Sequence, residues 1–111
     1  MARFGYLFLN NGKWGPKQLV TEKWIGLARS PGPANTQYGF MNWFLNTPQP
    51  QVNGSPAQQM YRSAPASVVA FRGNGENIIY IDWEHDLVVV VRWISRGMND
   101  VVGKVLSAIK D

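Results

Sequence analysis

The unbroken apolar run Leu87-Val88-Val89-Val90-Val91 constrains the fold more than any other feature of the chain. A strand with one face in solvent alternates apolar and polar residues, and this run does not alternate. Both faces of the strand must therefore be covered, either by helices on both sides of a sheet or by a partner. The run predicts a strand over Leu87–Ile94 in the middle of its sheet.

Two more strands are predicted before this run. β-branched and aromatic residues bounded by turn residues predict strands over Ser67–Arg72 and Asn77–Asp82. The turn Trp83–Asp86 joins the second of these to the valine run, so the three strands form an antiparallel meander.

The segment between residues 38 and 65 combines one more predicted strand with a long predicted loop. The aromatic-rich stretch Tyr38–Leu45 is too short for a sizeable helix and predicts another strand. The stretch Thr47–Pro65 holds four prolines and predicts a long loop. Such a loop is either a binding wall or simply disordered, and the sequence leaves both open.

Helical periodicity marks three segments of the chain. Phe4, Leu7 and Phe8 predict an opening helix that Asn10-Asn11-Gly12 ends. Thr21 is the predicted cap of a second helix, whose buried stripe is Trp24, Ile25, Leu27 and Ala28. Asn99 is the predicted cap of a terminal helix with an apolar face of Val101, Val102, Val105, Leu106 and Ile109.

These elements predict one domain over residues 1–111 with an α+β fold. We expect an α/β sandwich fragment, in which an antiparallel sheet of three main strands is flanked by N-terminal and C-terminal helices. The chain is long enough to bury a core, and its hydrophobic fraction of 45% is typical of a globular protein.

Composition excludes several classes of function. Without cysteine the chain has no disulfide, no thiolate nucleophile and no sulfur-ligated metal. The net charge of +4 comes from scattered Lys and Arg residues, which favours ordinary surface charge over nucleic-acid binding. The sequence shows neither a signal-peptide pattern nor a run of apolar residues long enough to span a membrane, so we expect a cytoplasmic protein.

Two patterns resemble a metal site and a catalytic site, but neither predicts one. The single histidine, His85, lies in the acidic turn Asp82-Trp83-Glu84-His85-Asp86, where a metal could in principle bind. We expect the side chains of this turn to splay apart, with aspartate capping backbone donors, so we predict no metal and no cofactor. Ser107-Ala108-Ile109-Lys110 matches Ser-x-x-Lys, but a fraying last helical turn cannot hold a nucleophile in place.

The segment Phe71-Arg72-Gly73-Asn74-Gly75 is the most suggestive part of the sequence. Glycines at the end of a strand let a ligand approach backbone N–H groups closely. The alternative is a hairpin turn that needs positive φ at Gly73 or Gly75. The residues alone leave both interpretations open.

A family resemblance runs along the whole chain. Its segments are Met1–Leu9 with Gly12-Lys13-Trp14, then Tyr38-Gly39-Phe40 through Trp43, then Ile78–Asp82 with Glu84–Val90. In order and spacing they resemble the C-terminal part of the serine hydrolase superfamily that comprises class C β-lactamases, penicillin-binding proteins and related esterases.

The resemblance implies a role for the glycine-flanked segment. Phe71-Arg72-Gly73 stands where the superfamily has Lys-Thr-Gly, on a strand that pairs with the substrate backbone. It implies substrate contacts by Phe71, Arg72, Gly73, Asn74 and Gly75, and an oxyanion-hole N–H from Asn74, the only candidate for a catalytic group in this chain. Arg72 would hold a substrate carboxylate in place of lysine. Because Glu76 would repel anionic substrates, the resemblance favours an esterase or amidase over a β-lactamase.

The same resemblance leaves the catalytic nucleophile outside the chain. The superfamily's Ser-x-x-Lys and Tyr-x-Asn motifs lie upstream of the matched part, and none of Tyr6, Tyr38, Tyr61 and Tyr80 is followed two residues later by asparagine. We therefore expect a C-terminal fragment of such a hydrolase domain that is inactive alone. We also expect a homodimer through the edge strand Leu87–Ile94, or pairing with an N-terminal segment that carries the serine. The alternative is a stand-alone, non-catalytic binding or interaction module.

Overall fold

Three helices and seven strands make up an α+β fold in the part of the chain that is described. The computed structural model describes residues 1–44, 46, 61–94 and 96–109. The elements, in chain order, are α1 (Ala2–Leu9), β1 (Lys13–Trp14), β2 (Lys17–Gln18), α2 (Glu22–Ala28), β3 (Tyr38–Gly39), β4 (Asn42–Trp43), β5 (Val69–Gly73), β6 (Asn77–Asp82), β7 (Leu87–Val91) and α3 (Met98–Ala108). Residues 47–60 of the predicted loop Thr47–Pro65 lie outside the described residues.

The larger sheet has five antiparallel strands in the order β3-β4-β5-β6-β7, and β1 and β2 form a separate hairpin. The predicted meander is confirmed: β5 pairs with β6 from Val69↔Ile81 to Gly73↔Asn77, and β6 pairs with β7 from Ile78↔Val91 to Asp82↔Leu87. Strand β6 has the predicted bounds, whereas β5 and β7 are shorter than predicted.

The prediction of one strand over Tyr38–Leu45 is wrong, because the chain turns back within it. Phe40 and Met41 have φ values of 49° and 66°, and positive φ at both central residues is the geometry of a tight hairpin turn. The result is the hairpin β3–β4, with Tyr38 opposite Trp43. Leu45, the predicted end of the strand, lies outside the described residues.

Both faces of the sheet carry an apolar cluster. On one face Leu87, Val89 and Val91 pack against a core that includes Tyr80 of β6 and Val102 and Leu106 of α3. On the other face Val88 and Val90 pack against a core that includes Phe8 of α1 and Ile25 of α2. The prediction that both faces of this strand are covered is therefore confirmed.

The central position that the apolar run predicts for that strand is wrong, because in the described residues β7 lies at the edge of the sheet, as the dimer prediction assumed. Layers of helix above and below the sheet cover its side chains, so the apolar run does not require a strand on each side. Helix α1 comes very close to the sheet at Gly5, where an added Cβ would lie 2.6 Å from Val88 Cγ1 and 2.8 Å from Ile79 Cγ2.

The end of α1 and the start of α2 agree with the sequence prediction, and the start of α3 does not. Helix α1 ends before Asn11 and Gly12, both at positive φ, and Thr21 Oγ1 caps α2 by accepting from Trp24 N at 3.2 Å, as predicted. The cap of α3 is Gly97 in the left-handed region and not Asn99. The Asn99 carboxamide instead accepts from the backbone N–H of Arg62 at 3.0 Å, and so ties a distant segment to the helix.

The predicted buried stripe of α2 is only half right. Ile25 and Ala28 are fully buried, whereas Trp24 and Leu27 are 40% and 49% exposed. A helix this short turns only its Ile25–Ala28 side to the core. Trp24 is left to line an open cavity.

Candidate functional site: an apolar cavity beside strand β5

A cavity of about 610 Å³ opens between the first two helices and the sheet. Met1 and Phe4 of the α1 region, Trp24 of α2, and Phe40 and Met41 of the β3–β4 turn form its apolar rim. The sheet supplies the remaining lining residues, which are Phe71, Arg72, Gly73, Asn77 and Ile79. Three of the five residues predicted to bind substrate, Phe71, Arg72 and Gly73, therefore line one cavity.

Aromatic side chains from separate elements build the wall of the cavity. The Phe71 ring meets the Phe4 and Phe8 rings edge-on, each at a centroid distance of 5.0 Å. Trp24 contacts Phe8 at 5.9 Å and Phe40 at 5.8 Å in the same manner. Edge-to-face contacts of this kind hold rings in fixed relative orientations, so the wall is preorganised.

Among the described residues, strand β4 covers only part of the β5 edge next to the cavity. Strand β4 pairs with β5 at Trp43↔Ala70, and no further pair between these strands occurs in the described residues. Beyond Ala70, the β5 residues Phe71, Arg72 and Gly73 still pair with β6. Backbone N–H and C=O groups at the edge of a sheet can bind an extended ligand or the polar end of a small one.

The Arg72 guanidinium is paired across the hairpin that follows β5. Its Nη2 atom donates to both Glu76 carboxylate oxygens, at 3.0 and 2.9 Å. The guanidinium carbon also lies 6.0 Å from the centre of the Trp43 ring. The charge expected to hold a substrate carboxylate is therefore balanced by Glu76.

Asn74 and Gly75 lie in the turn beyond the cavity and are not among its lining residues. The side-chain oxygen of Asn74 accepts from Gly75 N at 3.0 Å, and the Asn77 carboxamide donates to the Asn74 carbonyl oxygen at 2.6 Å. Gly75 has a φ of 75°, and a Cβ there would overlap the Trp93 ring. The hairpin-turn interpretation is thus correct for Gly75, and the oxyanion role of the Asn74 N–H stays a prediction.

In the acidic turn, the expectation that side chains splay apart is wrong for Asp82 and His85. Asp82 is completely buried, and its Oδ2 atom accepts from the Tyr80 hydroxyl at 3.0 Å and lies 2.8 Å from His85 Nδ1. Its Oδ1 atom accepts from the backbone N–H groups of Glu84 and His85, which confirms the predicted capping by aspartate. The spacing Tyr80-x-Asp82 was an available signal, because residues two apart on a strand share a face.

This cluster has the features of a structural element. Burial, and then the charge and hydrogen bond of Asp82, raise the pKa of Tyr80 far above its ordinary value, so the hydroxyl stays protonated as the donor. The Asp82 carboxylate accepts three hydrogen bonds and has His85 Nδ1 as a fourth polar neighbour. Among the described residues no three His, Cys, Asp or Glu side chains are grouped so that they could hold a metal ion.

Asn46 is a buried polar residue that sequence reasoning missed. Its Nδ2 atom donates to the carbonyl oxygens of Tyr61, Ala64 and Pro65 at 2.7, 2.8 and 3.2 Å. Its Oδ1 atom accepts from Tyr61 N at 2.8 Å. One side chain therefore anchors residues 61–65 on the sheet, and nothing in the local sequence marks it.

Comparison of the chain with protein-family models, curated proteins and solved structures returned no match. Within the described ranges, no helix has the length and apolar character needed to cross a bilayer. The arrangement of the cavity and the β5 edge is therefore the basis for a functional conclusion.

Proposed function

We propose that the chain forms the substrate-binding wall of a serine hydrolase that acts on esters or amides, of the class C β-lactamase, penicillin-binding protein and esterase type. The observation that carries the proposal is that Phe71, Arg72 and Gly73 all line one apolar cavity beside strand β5. A hydrolase of this kind needs an apolar site for the acyl group next to backbone groups that bind the carbonyl.

The electrostatics of the site favour a neutral substrate. Glu76 balances Arg72 at 2.9 Å, so a carboxylate on the substrate would have to compete with a side chain already held by two hydrogen bonds. Apart from Arg72 and Asn77, the described residues that line the cavity are apolar or glycine. An ester or amide with an apolar acyl chain fits this lining, and an anionic β-lactam does not.

In this proposal the residues that line the cavity bind the substrate, and another group carries out the nucleophilic attack. Among the described residues, those that line the cavity include no serine, threonine, cysteine or histidine. A nucleophile for acyl transfer must then come from outside this set, and the chain contributes the pairing edge and, in our proposal, the Asn74 N–H as an oxyanion donor. A donor of this type is worth about 3 kcal/mol in the transition state.

Ligand binding to the isolated chain tests the proposal. N-methylhexanamide is a neutral substrate analogue, and in two-dimensional NMR it should shift the backbone amides of residues 71–74 and the Trp24 indole. Gly73→Ala should weaken binding, because the nearest atoms to an added Cβ are 3.9 Å away and the methyl group enters the cavity without disturbing the fold. Ser107→Ala, in a separate surface groove on α3, is the control. Shifts confined to other regions would refute the proposal.

A non-catalytic module that binds an apolar ligand is the second candidate, and it is favoured because the described residues that line the cavity include no nucleophile. The two candidates differ in what they require of the ligand. A hydrolase wall binds the carbonyl through backbone groups, so it should prefer the amide to an alkyl ether of equal length. A module that binds only apolar surface should not distinguish them.

A further inference from the structure

The outer edge of β7 is an unusual surface for a globular protein. Strand β7 pairs with β6 along one side, and in the described part of the chain no strand lies along its other side. All five of its residues are apolar and partly exposed. Native edge strands are ordinarily protected from further pairing by a charge, a proline or a bulge within the strand, and β7 has none of these.

Helices lie on both faces of the sheet at β7. Helix α1 lies over β6 and β7 on one face, and α3 contributes to the cluster that Leu87, Val89 and Val91 join on the other. A strand added to this edge would continue both apolar faces, since β7 is apolar in both directions. The edge therefore fits a strand with no polar alternation, which is the pattern of β7 itself.

Two copies of β7 can pair about a two-fold axis in one favoured register. Neighbouring residue pairs in an antiparallel ladder alternate between hydrogen-bonded and non-hydrogen-bonded types. A two-fold axis must map each pair onto a pair of the same type, so one residue has to lie opposite its own copy. With Val89 in that position, Val88 faces Val90 of the second copy and Leu87 faces Val91. This register pairs all five strand residues with apolar partners.

Charge complementarity at the strand ends favours the same register. One residue further out, Asp86 of one copy falls opposite Arg92 of the other, and the symmetry makes this contact twice. Both residues are exposed and lie just outside the strand. Opposite charges across an antiparallel pair stabilise it, and like charges destabilise it.

We propose that the chain forms a homodimer in which two β7 edges pair antiparallel about a two-fold axis at Val89, joining two five-stranded sheets into one. The second copy is the occupant that the edge selects, because it supplies both an apolar strand of matching length and opposite charges at both ends. The proposal is independent of the ligand and the reaction at the cavity.

Sedimentation and cysteine cross-linking test the dimer and its register. The chain has no cysteine, so V89C introduces a single thiol that should cross-link with its own copy under mild oxidation. The V88C and V90C variants should cross-link poorly alone and well when mixed, because each faces the other across the axis. The wild-type chain should sediment as a dimer at micromolar concentration.

Charge reversal supplies a second readout that leaves the strand intact. R92E should weaken dimerisation about tenfold, because two attractive contacts become repulsive. R62E, which makes the same charge change at an exposed residue outside β7, should have no effect. A monomer up to the high-micromolar range would overturn the proposal. So would a dimer that R92E leaves unchanged, or one in which V88C or V90C self-links more readily than V89C.

Discussion

Removing the buried carboxylate of Asp82 should destabilise the fold, chiefly through the buried hydroxyl of Tyr80. Asp82 is fully buried and accepts a hydrogen bond from the hydroxyl of Tyr80, a residue that is also fully buried. In Asp82→Ala that hydroxyl loses its partner, which costs about 1–3 kcal/mol. The turn also loses the acceptor for two backbone N–H groups, which adds about 1 kcal/mol. We therefore expect a loss of about 3 kcal/mol in the free energy of unfolding.

A double-mutant cycle isolates the contribution of the stranded hydroxyl. Tyr80→Phe alone should cost about 1.5 kcal/mol, because it removes a hydrogen bond to a charged group. In the Asp82→Ala background the same change should stabilise the chain by about 1–3 kcal/mol, because it removes the hydroxyl that has lost its partner. The double variant should thus be more stable than additivity predicts by at least about 2.5 kcal/mol.

Urea unfolding followed by tryptophan fluorescence, at one fixed protein concentration, measures all four stabilities. The Asp82→Ala variant should also melt about 12 °C lower than the wild type, at about 4 °C per kcal/mol for a chain of this size. Tyr61→Phe, at a second buried tyrosine whose ring lies 6.1 Å from that of Tyr80, is the control and should show no coupling to Asp82. A coupling energy below about 0.3 kcal/mol for Tyr80 and Asp82 would refute the reasoning.

Three further predictions follow from individual contacts. Burial is the main cause of the raised pKa of Tyr80 in the folded state. The protonated hydroxyl therefore contributes its full stability below the ordinary pKa near 10, and this contribution is lost as the pH rises above that value. In urea titrations at alkaline pH, Tyr80→Phe should lower the free energy of unfolding by less than it does at neutral pH. Gly5→Ala should cost about 1–3 kcal/mol through overlap with Val88 and Ile79, whereas Gly26→Ala, with open space around the added methyl in α2, should stabilise by about 1 kcal/mol. Asn46→Asp should cost at least about 3 kcal/mol in the same assay, since it turns a donor to three carbonyl groups into a carboxylate oxygen.

The elements that could be predicted from sequence are those with local causes. Thr21 caps α2 and Asn11-Gly12 ends α1 because the capping group and the left-handed residues are neighbours of the helix they affect. The bounds of β6 follow from β-propensity between two turns. The failed strand prediction has a local cause as well, because Phe40 and Met41 occupy turn positions where Asn and Gly are the recognisable signal.

Features that depend on distant residues could not be predicted in the same way. An apolar run reports that both faces of a strand are covered, but it does not report how many strands lie beside it, so β7 was expected in the middle of the sheet. Asn46 owes its burial to carbonyl groups between 15 and 19 residues away. At the candidate site, Phe71–Gly73 stood out through the glycine, whereas Phe4, Trp24 and Phe40 join the cavity only through tertiary packing.

The two open surfaces of this protein lie on different strands of one sheet, which makes their proposed roles separable. The cavity adjoins β5 on the side of β4, whereas the edge proposed for dimerisation is the outer side of β7, and β6 lies between β5 and β7. Gly73→Ala should therefore weaken ligand binding and leave the sedimentation of the chain unchanged, because the added methyl contacts neither β7 nor its edge. R92E should weaken the dimer and leave the amide shifts on ligand binding unchanged. If both substitutions changed both properties, β6 would have to transmit a change across the sheet, and the two surfaces would be one coupled site.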